Sequence, residues 1–396
     1  MSQFESMGRM VPRLRCGCTC DLQIAHFEQH GKTTPSTCLP VGYDQKPCIP
    51  HDSKIKGSMI MLWNDVLLHN VAQINDVWRE GKQLQRVPEA VREHLNPKAQ
   101  ERCRVASNSE IRFVADGPVK VTLSSPQGSG TYHVSYGSFM DSGQYPLTNA
   151  PLTIELTVNE RLTTLNKQFL ENDPWSPNVI RLLFPRQEIV VYKIEGKNLR
   201  APKPEEMPSL RYLTYGTSIT EGGCATKPHL SYAAQTAQLL GADLINLGMS
   251  GSCHAEPQMF DYIASRDDWD IATLALSVNM LGFENDEFRK RVKYGINKVA
   301  EAHPDKPVAC ITLFQHSHDF CDAPDSENAK KTQDFRQILR QEVAASGKAN
   351  LHLIEGPEIL DSVQCLTHDM IHPSDWGMRR MAENLSAKLK ALLELK

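Results

Sequence analysis

The hydrophobic rhythm of the chain changes near residue 200. From Met59 onward, short apolar runs recur between turn residues: first MIMLWNDVLLHNV, then EIRFVA, VKVTLSS, TYHVSYG, LTIELTV, NVIRLLFP and EIVVYKIEG. Runs of roughly four to eight residues, bounded by Gly, Pro, Asn and Asp, predict strands, and their close spacing predicts an all-β sandwich of jelly-roll type. A brief helix is predicted over 89–96. The three prolines of NLRAPKPEEMP read as a linker or stiff junction. Beyond it the strands LRYLTYG, ADLINLG, DIATLALS, PVACITLF and ANLHLIEG are almost continuously apolar, and they alternate with helices beginning near Pro228, Ala255, Glu284, Asn328 and Pro373. Such strands are buried on both faces, which requires a parallel sheet covered by helices above and below. The stripe Met381, Leu385, Leu389 and Leu392 in the last helix predicts core packing. The resulting division is an irregular arm (1–56), a β-sandwich (57–198), a linker (199–209) and an α/β domain (210–396).

Ligands of open α/β sheets bind outside the C-terminal ends of the strands. Five polar or glycine positions fall on that rim. Ser218 follows the first strand, Gly248 the second and Asn279 the third, while Asp369 and His372 follow the fifth. Their types match what acyl transfer demands. A serine hydroxyl attacks a carbonyl only when a base removes its proton, a role suited to His372, with Asp369 holding the imidazole in its working tautomer. The charge developing on the carbonyl oxygen needs fixed donors, for which the N–H groups of Ser218 and Gly248 and the side-chain amide of Asn279 are candidates. Gly at 248 also admits close backbone approach.

Ser218 in YGTSIT, Gly248 in NLGMSG, Asn279 in SVNM and the Asp369, His372 pair in DMIHP resemble the four ordered blocks of the SGNH, or GDSL-type, hydrolase superfamily. The resemblance covers roughly residues 210–396. It implies a flavodoxin-like three-layer fold with strand order 2-1-3-4-5 and a serine esterase or acyltransferase that needs no cofactor or metal. Two positions depart from the family pattern: Thr217 stands where an acidic residue is usual, and the block around Asn279 reads Ser277-Val278-Asn279-Met280. The β-rich half is similar in layout to the jelly-roll domain that precedes the catalytic domain of some carbohydrate esterases and acyltransferases.

Other residues compete for attention. Ser250 in GMSGS nearly fits a G-x-S-x-G elbow, with Ser252 in the second glycine position. His368 adjoins Asp369 but should point away from it in an extended loop. His316 and His318 in FQHSHD are expected to be rim histidines that touch substrate or water, with a metal as the alternative. Cys224 and Cys253 lie in rim loops. Five of the eleven cysteines, Cys16, Cys18, Cys20, Cys38 and Cys48, fall in the arm near His26 and His30, yet their spacing is unlike that of structural zinc sites.

A formal charge of -4 with scattered Lys and Arg argues against a nucleic-acid partner. No apolar run approaches the roughly 18–20 residues needed to span a bilayer, and the first residues lack the apolar core of a signal peptide, so the expectation is a cytoplasmic protein without a membrane partner. The expected reaction is removal of a small acyl group, acetyl above all, from a hydroxyl of a carbohydrate or glycosylated substrate, or of a similar small-molecule alcohol. Acyl transfer to a second alcohol by the same triad is the first alternative. An inactive glycan-binding protein is the second.

Overall fold

The computed structural model describes residues 61–394, apart from 158, 159, 167 and 169. The Cys-rich arm, with its cysteines and His26 and His30, and the first residues of MIMLW lie outside the described residues. Those described fall in one compact unit.

The first half is an antiparallel two-sheet sandwich. Its strands are β1 (Met61–Trp63), β2 (Val66–His69), β3 (Gln73–Val77), β4 (Gly81–Gln85), β5 (Glu110–Phe113), β6 (Val119–Ser124), β7 (Thr131–Tyr136), β8 (Phe139–Met140), β9 (Tyr145–Pro146), β10 (Leu152–Leu156), β11 (Ile180–Leu183) and β12 (Val190–Gly196). One sheet has the order β1-β2-β5-β11-β7-β8, with β9 also on β7, and the other runs β10-β6-β12-β4-β3. Alternation sets the faces. In β6, Val119, Val121 and Leu123 are buried against Ile111, Phe113, Val134 and Leu182 of the facing sheet, while Lys120 points outward. The opening apolar run is a hairpin rather than one strand, because Asn64 and Asp65 take φ of 45° and 65°, the left-handed pair that a tight hairpin turn requires. The predicted helix over 89–96 is two short helices, Glu89–Arg92 and Pro97–Arg102. Pro97 forces the break, since it disfavours helical geometry at Asn96 and suits the first position of the next helix.

The second half has β13 (Leu210–Gly216), β14 (Ala242–Asn246), β15 (Ile271–Ala275), β16 (Val308–Ile311) and β17 (Leu351–Ile354) in the parallel order β14-β13-β15-β16-β17, the expected 2-1-3-4-5. Successive residues of each strand enter opposite cores. Leu213 and Tyr215 pack with Phe260, Phe288 and Phe335 of helices Pro257–Ser265, Asn285–Ala302 and Glu327–Ser346. Tyr212 packs on the other face with Tyr232, Met381, Leu385 and Leu389 of helices Tyr232–Leu240 and Asp375–Glu394, and Leu392 packs at its margin. Among the described residues no helix is long and apolar enough to cross a membrane.

The two halves share polar and apolar contacts. Arg112 of β5 makes two parallel hydrogen bonds to Asp243 of β14, at 2.7 and 2.6 Å, and a third to Glu110, which also accepts from Arg181. Burial opposes the charge on Asp243, but Arg112 and His69 together outweigh it and hold the carboxyl below its ordinary range. His69 donates to the Leu244 carbonyl and Asn70 to that of Asn246. Val87, Val91, Leu95, Ala99 and Cys103 join the core that contains Met249, Cys253 and Ala255.

Candidate active site

Strand β13 ends at Gly216, whose Cα lies against Ala275 and the Thr220 side chain so closely that a Cβ would stand 2.3 Å from Thr220 Oγ1. The chain then turns into the single helical turn Ser218–Glu221. Ser218 is its first residue, so its N–H has no acceptor within the helix. Its Oγ stands 2.7 Å from His372 Nε2, and His372 Nδ1 is 2.7 Å from Asp369 Oδ2. The loop before the last helix thus brings both partners to the serine, as their spacing suggests. Asp369 Oδ1 also accepts from Thr367 Oγ1 and from the N–H groups of Ile371 and His372, each at 2.9 Å. Partial burial works against ionisation of Asp369, yet these three donors together with the imidazole outweigh it and lower its pKa to about 2. The carboxylate therefore stays charged and fixed at neutral pH.

The loops after β14 and β15 carry the other candidates. Asn279 Oδ1 accepts from Cys253 N–H at 3.2 Å, which fixes the amide with its Nδ2 on the opposite side. Gly248 does not keep the donor expected of it. Its N–H is given to Asn246 Oδ1 at 2.8 Å, and a Cβ there would meet the Glu221 nitrogen at 2.4 Å, so this glycine lets the loop press on the 218–221 turn rather than on a substrate. Following the loop, Met249 N–H goes to Gly216 O, Ser250 N–H to Glu221 Oε2, Ser252 N–H to Met249 O and Cys253 N–H to Asn279. Between them stands Gly251, at φ 61°, whose N–H has no hydrogen-bond acceptor among the described residues.

Residues 211–390 match the family described as GDSL-like Lipase/Acylhydrolase. The match spans most of the α/β half of the chain. The chain also resembles solved structures across both halves. A salicylyl-acyltransferase from a tetracycline biosynthetic pathway aligns over 86% of this chain and 98% of its own, at 16% identity and a TM-score of 0.69. A family two carbohydrate esterase from Clostridium thermocellum, solved with cellohexaose, aligns over 83% and 98%, at 16% identity and 0.57. Another from Cellvibrio japonicus covers 83% and 96%, at 12% and 0.58. At these identities the likeness is one of fold. No curated protein matches the chain.

The remaining candidates sort by their contacts. Ser250 Oγ accepts from Arg186 Nη2 and, among the described residues, has no hydrogen bond to a histidine. His368 is exposed. His316 is not a rim residue: it is 3% exposed beside Thr332, and burial lowers its pKa to about 4. His318 pairs with Asp322 instead of sharing a ligand with it. Cys253 is buried, which pushes its thiol up to about 12, whereas Cys224 is exposed. Donor atoms of Cys224, Asp369 and His372 lie within 4.8 Å of one another, the one such trio among the described residues.

Sequence reasoning passed over three residues that shape this site. Arg86, 1% exposed, donates from Nη1 to both Asn246 O and Gly248 O at 3.0 Å and from Nε to Val105 O, so the sandwich half grips the loop. Asn246 donates to Asn108 Oδ1 and Thr220 O while accepting from Gly248. Gly223 lies under the His372 ring. Only the double glycine of TEGGC hinted at any of them, since a tight approach is one reason for glycine.

Proposed function

We propose that the protein is a serine esterase that removes a small acyl group, acetyl being the leading candidate, from a hydroxyl of a carbohydrate or glycosylated substrate. The observation that carries the reading is the unbroken path Ser218 Oγ, His372 Nε2, His372 Nδ1, Asp369 Oδ2, with both gaps at 2.7 Å. His372 takes the Ser218 proton as Oγ adds to the ester carbonyl, and Asp369, ionised well below neutral pH, offsets the imidazolium charge. The oxyanion is held by the N–H of Ser218, by Asn279 Nδ2 and, in place of the Gly248 donor expected from sequence, by the N–H of Gly251. His372 then returns its proton to the departing alcohol, leaving an acyl-Ser218 enzyme. A water activated by His372 completes the cycle, and a second alcohol in that place would make the same protein an acyltransferase.

The test is fluorophosphonate labelling with peptide mapping, run beside turnover of a short-chain aryl ester. Label on Ser218 and loss of turnover in Ser218→Ala are expected. Label on Ser250, or full activity in the variant, would refute the assignment. Partition of the acyl-enzyme between water and added sugar alcohols separates hydrolysis from transfer.

A further inference from the structure

The sandwich half delivers more than a grip to the oxyanion loop. Asn96 caps the helix Pro97–Arg102 by accepting from Ala99 N–H, and its Nδ2 donates to the Ser252 carbonyl at 3.0 Å. That tie fixes the start of the helix against the loop. Two residues on, Lys98 Nζ lies 2.5 Å from the place a Gly251 Cβ would take, so the absent side chain at 251 is what lets the ammonium in. Lys98 is exposed, and among the described residues no carboxylate lies within ion-pair distance of it. Beside it, Arg186 donates to Ser250 Oγ while its side chain stays 34% exposed.

The acidic groups here are already engaged. Glu221 is fully buried, accepts from Ser107 Oγ and Ser250 N–H, and stands 3.6 and 3.8 Å from Arg186 and Arg102. Glu256 is 8% exposed and accepts from Asn96. Four cations, Arg86, Lys98, Arg102 and Arg186, thus meet two carboxylates around one loop. Neutralising Glu221 does not require Lys98.

We propose that Lys98, with the exposed edge of Arg186, forms a subsite beside Gly251 for an anionic group, a carboxylate or phosphate, carried by the ester substrate. The inference rests on the esterase reading and adds to it the class of ester preferred. A cation held at a protein surface near a pocket attracts such a group most at low ionic strength, and the attraction weakens as salt screens it.

The experiment compares matched ester pairs. Mono-4-nitrophenyl succinate against 4-nitrophenyl butyrate places the charge on the acyl half, and 4-acetoxybenzoate against its methyl ester places it on the alcohol half. The readout is the ratio of kcat/KM, anionic over neutral, within each pair. In the parent, one pair is expected to give a ratio of about 10 or more that falls with added salt, and that pair identifies the half recognised. Lys98→Ala should cut the ratio about tenfold, and Lys98→Glu should bring it below one. Lys98 is exposed at the second position of its helix, where an acidic residue is well tolerated, so the reversal is compatible with folding. Ratios near one in both pairs, or a ratio untouched by Lys98→Glu, overturn the proposal. So does an equal fall for both members of a pair, which would make Lys98 a general electrostatic stabiliser of the oxyanion. Absence of both neutral-ester turnover and fluorophosphonate labelling is the separate result that sinks the esterase reading, and the subsite with it.

Discussion

Gly223→Ala is the substitution whose effect can be worked most closely from the geometry. An added Cβ would stand 2.8 Å from His372 Cδ2, 3.3 Å from His372 Nε2 and 3.0 Å from the Ser218 carbonyl oxygen. Non-bonded carbon atoms rest about 3.5 Å apart, so one of these neighbours must withdraw by roughly 0.5–0.7 Å. The Ser218 carbonyl cannot, because it is backbone and accepts from Gly223 N–H at 2.6 Å. The imidazole therefore moves. A shift of that size carries the 2.7 Å contact between Nε2 and Ser218 Oγ toward about 3.2 Å, the outer edge of a useful hydrogen bond. Misplacing a reacting group by about 1 Å costs on the order of 10² in rate, so a fall of about 10- to 100-fold in kcat is expected. The fold should be spared, since Gly223 lacks a positive φ. Its neighbour supplies the control. Gly222 closes the helical turn at φ 96°, and Gly222→Ala should lower stability by about 1 kcal/mol or more. Aryl-ester kinetics with thermal unfolding of both variants make the comparison, and a Gly223→Ala enzyme within twofold of the parent kcat would refute the reasoning.

Three further outcomes follow from the same contacts. Asn279→Ala removes the proposed side-chain oxyanion donor and should lower kcat on the order of 10²–10³ with little change in KM; a loss confined to KM would give Asn279 a binding role instead. Arg112→Met leaves Asp243 and Glu110 buried without their shared partner, and urea unfolding should show a loss of about 3–5 kcal/mol. The parent holds the Asp243 carboxyl below its unfolded pKa of about 3.9, so this stabilisation is present above that pH and fades as pH falls, and the variant should lack that part of the acid dependence. Ser277→Gly should raise stability by about 1 kcal/mol, because Ser277 sits at φ 145° with a buried hydroxyl that has no partner among the described residues; a destabilised variant would mean that the serine side chain supports its loop.

The α/β half was legible because burial on two faces leaves little freedom. Apolar runs such as DIATLALS admit only a central strand, and the prediction of β15 needs nothing beyond that periodicity. The strands β3 and β4, read as QINDV and GKQLQ, carried no such signal, since Gln, Asn and Lys fill positions that pair through side-chain amides and backbone instead of apolar contact. The departures at Thr217 and Ser277 also acquire physical content. Thr217 precedes the turn without a side-chain capping bond, and Ser277 holds a backbone conformation suited to glycine. For the oxyanion loop, sequence offered two glycines three residues apart and no means of telling which N–H was free. That choice depends on Asn246, whose amide claims one of them from two positions upstream.

The contact pattern also decides how the sandwich bears on the chemistry. A passive module would meet the α/β half through exposed polar side chains at a thin seam. Here Val91, Leu95, Ala99 and Cys103 enter the same core as Met249 and Cys253, and a fully buried aliphatic side chain contributes about 1.5–3 kcal/mol. Arg86 adds a geometric constraint, for one guanidinium spans the carbonyls of Asn246 and Gly248 and is itself fixed by those of Arg102 and Val105. The loop lies between that clamp and the Ser218–Glu221 turn, which Gly248 touches and Glu221 holds through Ser250 N–H. Its free N–H at Gly251 is consequently oriented by residues from both halves, before any ester arrives. Preorganised donors of this kind stabilise a developing oxyanion because nothing has to reorient as the charge forms. Under the proposed mechanism the sandwich is part of the catalytic framework, and its separation from the α/β half would cost the loop its shape as well as its core.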